Sequence, residues 1–190
     1  MIDTKIRCFG SNSQIYADYH DNEWGKPVYD DRVLFEFLIL EGAQAGLSWE
    51  TILKKRKGYR NVFHDFDPQK VANMSDDELE ALRLDSSIIR NKLKIYSARK
   101  NALSFLDVQK EYGSFAKFIW QFVDNKPIVN RWDNKSDIPV TTAMSDKISK
   151  ELKLRGMSFV GSTIIYSYMQ AVGLVNDHLN GCWVVNNLSI

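Results

Sequence analysis

Apolar residues recur every three or four positions through most of this chain, whereas strict apolar–polar alternation is nearly absent. The first spacing is typical of amphipathic α-helices and the second of half-buried strands. Residues that start and stop helices divide the pattern. Ser48 and Ser114 precede apolar runs, Ser75 and Glu78 form a capping box, and Asp67 precedes a proline at a helix start. The pattern predicts an all-α fold of about eight helices with short connections.

The predicted helices span 31–44, 48 to about 57, 88 to about 112, 145–155 and 161–172, with shorter ones between them. Residues 124–141 contain Pro127 and Pro139 and are predicted to be irregular. A length of 190 residues suits one large domain or two small ones. Since no repeat or low-complexity segment divides the chain, we interpret 1–190 as a single unit.

Composition excludes several classes of protein. Two cysteines are too few for a disulfide-stapled secreted scaffold, and the apolar stretches are too short to cross a bilayer. The N-terminal segment has no apolar signal-peptide core. We therefore expect a cytoplasmic protein with reduced thiols and no membrane contact. A net charge of +1, from 25 basic and 24 acidic residues, argues against a uniformly basic nucleic-acid binder but permits a local basic patch.

Both cysteines and two of the three histidines lie near the two ends of the chain: Cys8, His20, His178 and Cys182. Two thiolates and two imidazoles complete a tetrahedral zinc site. The four-residue spacing of His178 and Cys182 would bring both side chains together on one helical turn. Alternatively, the cysteines are buried apolar residues and the histidines have no metal. Four protein ligands leave no open position for water, so zinc here would be structural.

Glu41 interrupts an apolar helix, where a carboxylate is costly to bury unless it is paired or used. It either reaches solvent or a backbone donor at the helix end, or accepts a hydrogen bond on the wall of a pocket. Four aromatic residues flank it in the sequence and belong either to the core or to that pocket: Tyr16, Tyr19, Trp24 and Trp49.

Two turns carry possible nucleic-acid contacts. Gly46 and Leu47 lie between two predicted helices, where a small residue and an apolar one could approach a DNA strand and wedge between bases. A polar turn at 85–87 leads into a helix N-terminus, whose free N–H groups suit a phosphate. Five basic residues follow this turn and form either a phosphate-binding surface or a solvated face: Arg90, Lys92, Lys94, Arg99 and Lys100.

Five strings give the chain a close resemblance to the bacterial 3-methyladenine DNA glycosylase I family. They are YADYHDNEWG at 16–25, LEGAQAGLSW at 40–49, FVGST at 159–163, YSYMQA at 166–171 and GLVNDH at 173–178. The resemblance runs from Cys8 to Cys182. It implies an all-α helix-hairpin-helix fold, with a hairpin at about 79–106 and zinc-clipped segments at about 1–24 and 174–190.

The resemblance implies a repair enzyme that flips 3-methyladenine out of double-stranded alkylated DNA and hydrolyses its N-glycosidic bond, without lyase activity. We expect a monomer, since nothing in the sequence demands a larger assembly. It assigns structural Zn²⁺ to the four cysteine and histidine residues. Glu41 would bind the base with help from Tyr19, Trp49 would stack on it, and Tyr16 and Trp24 would complete the pocket. DNA contacts would come from Gly46, Leu47, Ser86, Ser87, Ile88, Gly161 and Ser162.

The chain departs from the family pattern at two positions. Family members often carry a Trp shortly after the first zinc cysteine, whereas Phe9 follows Cys8 here. The hairpin usually has a Gly before its Ile pair, where this chain has Ser87, and Gly would permit a positive φ. Two other functions stay open: a damage-binding protein without catalysis on the same fold, and a hydrolase with catalytic zinc.

Overall fold

Nine α-helices and two short strands form the regular structure of residues 5–185, which the computed structural model describes. The helices are α1 Gln14–Asn22, α2 Asp31–Gln44, α3 Trp49–Val62, α4 Pro68–Ala72, α5 Asp76–Ala81, α6 Lys92–Tyr112, α7 Phe115–Trp120, α8 Ala143–Leu154 and α9 Ser162–Ala171. The strands β1 Ile128–Val129 and β2 Val175–Asn176 pair in parallel. The predominantly helical fold confirms the predicted class. The outermost residues of the predicted terminal segments, 1–4 and 186–190, lie outside the described range.

Helix α2 is buried over most of its length, from Leu34 to Ala43, and α3, α6, α7 and α9 pack around it. A helix that is apolar on all sides belongs in the centre of a core. Asp30 caps its N-terminus by accepting a hydrogen bond from the Val33 N–H at 3.0 Å. The carboxylate of Asp31 accepts from the N–H groups of Phe115 and Ala116, both at 2.8 Å, and so joins α2 to the start of α7. This central helix carries Glu41 near its C-terminal end.

Helix-start residues predicted most boundaries well. Ser48, Asp67, Ser75 and Ser114 each accept a backbone hydrogen bond at the start of a helix, and Ser75 and Glu78 complete the capping box. Helix α3 continues to Val62 rather than ending near 57. The pairing of β1 with β2 was not predicted, because two-residue strands are too short to show a period.

Two predicted helical stretches are wrong. The long helix α6 begins at Lys92, with Asn91 as its cap, so Ile88 lies in the turn before it. Residues 178–182 are not helical; the chain makes a tight turn there, with the Cys182 N–H donating to the Leu179 carbonyl at 2.8 Å. Within the described range, no helix is both long and apolar enough to span a membrane.

Candidate active site and metal cluster

Helices α1, α2, α3 and α9 and the segment 135–138 surround a cavity of about 440 Å³. It contains all five residues that the sequence analysis assigned to a pocket: Tyr16, Tyr19, Trp24, Glu41 and Trp49. Seven other lining residues were not assigned to the pocket, although Cys8 was predicted as a metal ligand: Cys8, Phe9, Gln44, Lys135, Ile138, Ser167 and Gln170. Gln44, Ser167 and Gln170 fall within strings that carry the family resemblance. Lys135 and Ile138 come from the segment predicted to be irregular and had no signal.

Glu41 is only 4% exposed and lines the cavity. It makes no hydrogen bond or ion pair within residues 5–185, so it does not reach a solvent-exposed or backbone partner at the helix end. Burial in apolar surroundings raises the pKa of its carboxyl to about 8. An unpaired buried carboxyl group that faces a cavity is a binding group for a cation or a hydrogen-bond donor.

Five of the twelve residues that line the cavity are aromatic. Tyr19 lies 5.4 Å from Trp49 between ring centroids, and Phe9 lies 4.7 Å from Tyr16 and 4.9 Å from Trp24. Phe9 therefore contributes an aromatic ring to the cavity wall. Such faces suit a flat ligand with positive charge.

Trp49 carries a second unused polar group at the cavity. Its indole Nε1–H is buried and has no hydrogen-bond acceptor in the described part of the chain. A buried donor without an acceptor costs about 1–3 kcal/mol. Since Trp49 lines the cavity, a ligand atom is a natural acceptor for this donor.

Cys8, His20, His178 and Cys182 come together in one cluster, with their candidate ligand atoms within 4.8 Å of one another. The Sγ atom of Cys182 lies 3.4 Å from His20 Nε2 and 3.5 Å from His178 Nδ1, and Cys8 Sγ lies 3.6 Å from the same His178 nitrogen. The ligand–ligand edges of a tetrahedral zinc site measure roughly 3.3–3.8 Å, given its bond lengths. These four residues could hold a metal ion.

The remaining nitrogen of each histidine ring has an acceptor of its own. His20 Nδ1 donates to the Asp21 carboxylate at 2.9 Å, and His178 Nε2 donates to the Trp24 carbonyl at 3.1 Å. Partners of this kind fix the ring orientation of metal-bound histidines. Asp21 also accepts from Arg7 and Trp183, and these hydrogen bonds hold its pKa well below the ordinary value in spite of burial.

The two thiols of the cluster shift each other's pKa in opposite directions. Hydrogen bonding from Cys8 lowers the pKa of Cys182 well below its ordinary value, and the same contact raises the pKa of Cys8. The Leu179 N–H also donates to Cys8 Sγ at 3.3 Å. The lowered pKa of Cys182 favours its thiolate, which is the form that binds metal.

The turn after α2 presents Leu47 to solvent at 38% exposure. Gly46 has a φ of +80°, which favours glycine, and its surroundings are open. The Leu47 N–H donates to the Gln44 carbonyl at 2.7 Å. Lys94 of α6 donates to the carbonyls of Ala43 and Ala45 at 2.8 and 2.6 Å. An apolar side chain therefore projects from a turn that is held rigidly.

The turn at 85–91 packs against α3. Gly58 is required there, because a Cβ at this position would come within 2.7 Å of the Ser87 side chain. Ser87 is not among the residues with positive φ, so this turn does not need the glycine usual in the family. Ser86 and Ser87 are exposed, whereas the Ile88 side chain is only 1% exposed and cannot contact DNA. Only the backbone of Ile88 remains available.

The basic residues after this turn are mostly engaged within the protein. Lys92 pairs with Glu80 at 2.7 Å, and Arg99 pairs with Asp76 at 2.5 Å. Lys94 binds carbonyls, and Lys100 donates to Ser158 Oγ at 3.0 Å. Of the five, only Arg90 has no partner within residues 5–185. These intramolecular partners reduce the positive charge that this helix face offers to a phosphate, whereas the exposed positions of Lys92 and Lys100 agree with a solvated face.

Gly161 and Ser162 lie at the N-terminus of α9, as predicted. Ser162 Oγ is 2.8 Å from Ser145 Oγ of α8. Ser158, four residues before Ser162, is fixed to Asn101 of α6 by hydrogen bonds at 2.8 and 2.9 Å. This contact anchors the approach to α9 on the long helix that follows the 85–91 turn.

The chain is similar to known glycosylases over nearly its whole length. The family model described as methyladenine glycosylase matches residues 9–185. DNA-3-methyladenine glycosylase 1 of Escherichia coli (strain K12) is 51% identical over 172 residues, which cover 90% of this chain and 92% of the relative. A crystal structure of 3-methyladenine DNA glycosylase I has a TM-score of 0.91 at 49% identity and covers 94% of this chain and 98% of its own.

A variant of 3-methyladenine DNA glycosylase I in complex with 3-methyladenine has the same TM-score of 0.91 at 37% identity, covering 93% of this chain and 95% of its own. The family model includes every residue of the cavity wall and of the metal cluster except Cys8, which lies one position before the matched range. The chain therefore belongs to the methyladenine glycosylase family.

Proposed function

We propose that this protein is a DNA-3-methyladenine glycosylase. It flips the damaged nucleotide out of double-stranded alkylated DNA, hydrolyses the N-glycosidic bond and leaves an abasic site. The unpaired carboxyl group of Glu41, buried in an aromatic cavity, is the observation that carries the proposal. The named activity of relatives at about half identity supports it. A cavity of about 440 Å³ is large enough for a single purine base.

Electrostatic attraction accounts for the choice of substrate. Methylation at N3 gives the adenine base a positive charge, so it binds favourably to a carboxylate and to aromatic faces. Glu41 supplies the carboxylate, Trp49 stacks on the base, and Tyr19 lies against both. Normal bases are neutral and lose most of this attraction, although they fit a cavity of similar size.

Methylation also weakens the bond between the base and the sugar. The bond from C1′ to N9 breaks, and its electron pair leaves with the base, neutralising the positive charge. Water then adds to the oxocarbenium-like sugar at C1′ and releases a proton. Glu41 stabilises the cationic base during binding and flipping, so binding and electrostatics supply the catalysis.

Three features support contact with DNA. The exposed Leu47 on its rigid turn would fill the gap left by the flipped nucleotide, with Gly46 allowing close approach. On the 85–91 turn, the N–H groups of Ile88 and Arg90 have no acceptor in the described part of the chain and suit a phosphate. Ser86 and Ser87 are exposed beside them, and Gly161 and Ser162 would contact a second phosphate.

The Cys8, His20, His178 and Cys182 cluster would hold a structural zinc ion. Its spacing supports tetrahedral coordination by four protein atoms, which leaves no position for a reactive water. Bound zinc would tie the segment near Cys8 to the segment near Cys182. Because Cys8 and Trp24 also line the cavity, zinc would hold one wall of the base pocket in place.

The decisive experiment measures release of free 3-methyladenine from methylated duplex DNA. Wild type should release the base and leave an intact strand that breaks only after alkaline treatment, as expected without lyase activity. A damage-binding protein would retain the DNA without releasing base. Glu41→Gln should lower release by at least tenfold, because a charge-assisted contact contributes about 1.5–3 kcal/mol. Full activity of Glu41→Gln would contradict the proposal.

A further inference from the structure

A second buried carboxylate lies behind the cavity wall, outside the recognition scheme above. Asp177 is 0% exposed and accepts four hydrogen bonds from neutral donors. They come from Asn130 Nδ2 at 2.7 Å, Trp132 Nε1 at 2.7 Å, Tyr166 Oη at 2.6 Å and Gln170 Nε2 at 2.8 Å. A carboxylate this deep is tolerated because donors occupy its lone pairs.

This arrangement fixes which end of the Gln170 amide faces the cavity. Asp177 Oδ2 accepts a hydrogen bond from Gln170 Nε2 at 2.8 Å, so the NH₂ group of Gln170 is the end that contacts Asp177. The carbonyl oxygen Oε1 is then directed away from Asp177, and Gln170 is one of the residues that line the cavity. Among residues 5–185, no donor contacts this oxygen.

Rotation of the amide would be unfavourable. It would place Oε1 against the Asp177 carboxylate, so that two acceptors met and the carboxylate lost a donor. Leaving one buried polar group unsatisfied costs about 1–3 kcal/mol, which corresponds to a factor of roughly 5 to 150 in population. Gln170 therefore offers the cavity a hydrogen-bond acceptor and not a donor.

We propose that Gln170 is a specificity-determining residue whose Oε1 accepts a hydrogen bond from the exocyclic amino group of the bound base. This inference rests on the proposed function and deepens it. Adenine carries an amino group at C6, whereas a purine with an oxo group there presents an oxygen. Against a fixed acceptor, that oxygen would face another oxygen and lose the contact. Asp177 is the positioning residue that sets this preference.

The test compares two free bases that differ at C6. Wild type, Gln170→Leu and Gln170→Met are titrated with 3-methyladenine and with 3-methylhypoxanthine, following tryptophan fluorescence. Wild type should prefer 3-methyladenine, and both variants should lose about tenfold of that preference, mainly through weaker binding of 3-methyladenine. Two apolar replacements are used so that one poorly folded variant does not decide the result. An unchanged preference in a folded variant would overturn the inference.

Tyr166→Phe is the matched control, because it removes another donor from Asp177 and leaves Gln170 in place. Tyr166 is not among the lining residues, so this variant should keep the wild-type preference. If it lost the preference as fully as Gln170→Leu, disruption of the buried network would be the cause and the inference would fail. If wild type neither bound nor released 3-methyladenine, the proposed function would fail as well. If wild type bound and released 3-methyladenine normally but Gln170→Leu kept the wild-type preference between the two bases, the inference about Gln170 would fail and the proposed function would stand.

Discussion

Glu41 is protonated in the native protein over a pH range in which the unfolded chain has lost that proton. Its pKa rises from an ordinary 4.5 to about 8 on burial. Between these values the native state holds one more proton than the unfolded state, so stability falls as pH rises and levels off above about pH 8. The buried Glu41 carboxyl group, which would bind a cation, therefore lowers the stability of the native protein at neutral and higher pH.

Replacing Glu41 with Gln should remove this pH-dependent cost. The free energy of unfolding of Glu41→Gln should exceed that of wild type by a few kcal/mol at pH 8.5, with the difference shrinking towards pH 4.5. Urea denaturation across pH measures it. Glu50→Gln is the control, since the hydrogen bonds of Glu50 to Lys54 and Ser13 lower its pKa and it should show no such trend between pH 5 and 8. A constant difference between Glu41→Gln and wild type would contradict the raised pKa.

The rate of base release should also report this ionisation. The carboxyl group must lose its proton to attract a cationic base, so kcat/KM should rise with pH and level off above about pH 8. In Glu41→Gln the values should be lower and independent of pH over the same range. Release of 3-methyladenine from duplex DNA at constant ionic strength provides the measurement. A flat wild-type profile from pH 6.5 to 9 would remove Glu41 from this role.

At the residue scale, the sequence predicted functional side chains whose residue type is unusual for its neighbours in the sequence or typical of metal binding. Glu41 was identified because a charge interrupts an apolar helix, and the cysteines and histidines because of their residue types. Gln170 and Ser167 gave no comparable signal, since polar residues on a helix usually face solvent. Only tertiary packing brings them to the cavity.

At the element scale, capping residues predicted the helix ends that depend on local hydrogen bonds. The start of α6 was missed because the 88–91 segment contains apolar residues at helical spacing, and Ile88 is buried although its backbone is not helical. That segment is held by contacts from α3 that are distant in the sequence: Lys55 donates to the Ser86 carbonyl at 2.6 Å, and the Ile89 N–H donates to Tyr59 Oη at 3.3 Å. No local pattern encodes them.

Gly58→Ala should displace the 85–91 turn from α3, because the added Cβ would overlap Ser87. We expect a loss of about 1–3 kcal/mol in stability and weaker binding of duplex DNA. Chemical denaturation and DNA titration measure the two effects. Gly181→Ala is the matched control, since nothing lies within 4 Å of the added Cβ there. Equal effects of the two substitutions would show that the contact with Ser87 is unimportant.

Leu47→Ala should separate DNA distortion from base binding. Loss of the exposed side chain removes about 1–2 kcal/mol of apolar contact with a distorted duplex, so release from duplex DNA should fall roughly tenfold. Binding of free 3-methyladenine should remain at the wild-type level, because Leu47 is not part of the cavity wall. Equal release by Leu47→Ala and wild type would exclude a wedging role for this residue.

At the scale of the whole molecule, the metal cluster joins parts of the chain that are far apart in sequence. The Cys8–His178 and Cys182–His20 contacts span 170 and 162 residues. The residue types predicted this cluster correctly, but the predicted helical turn at 178–182 was wrong, because the ligand geometry is met by a tight turn. Hydrogen bonds from the His178 ring to the Trp24 carbonyl and from the Leu179 N–H to Cys8 add further contacts between these distant segments, and the Asp21 carboxylate accepts a hydrogen bond from the His20 ring.

Removing the metal should destabilise the protein more than it affects the chemistry. Elemental analysis should find one zinc ion per chain, and a chelator should lower Tm by more than about 5 °C. Cys182→Ser should show the lower Tm without a chelator and retain measurable base release below that temperature. If either treatment abolished release while Tm stayed unchanged, a catalytic metal would be indicated.

Because the cluster residues are far apart in the sequence, they leave the ribosome at different times during synthesis. A nascent chain forms α1, α2 and α3 early, and these helices already carry Tyr19, Glu41 and Trp49. The opposite wall requires Gln170, and its fixed orientation requires Asp177, while the Cys8 thiol gains its contacts with His178 and the Leu179 N–H only when residues 178–179 have left the ribosome. A chain interrupted before residue 170 would therefore have only part of the pocket, and the ability to remove bases would arise only after residues 170–182 have been synthesised.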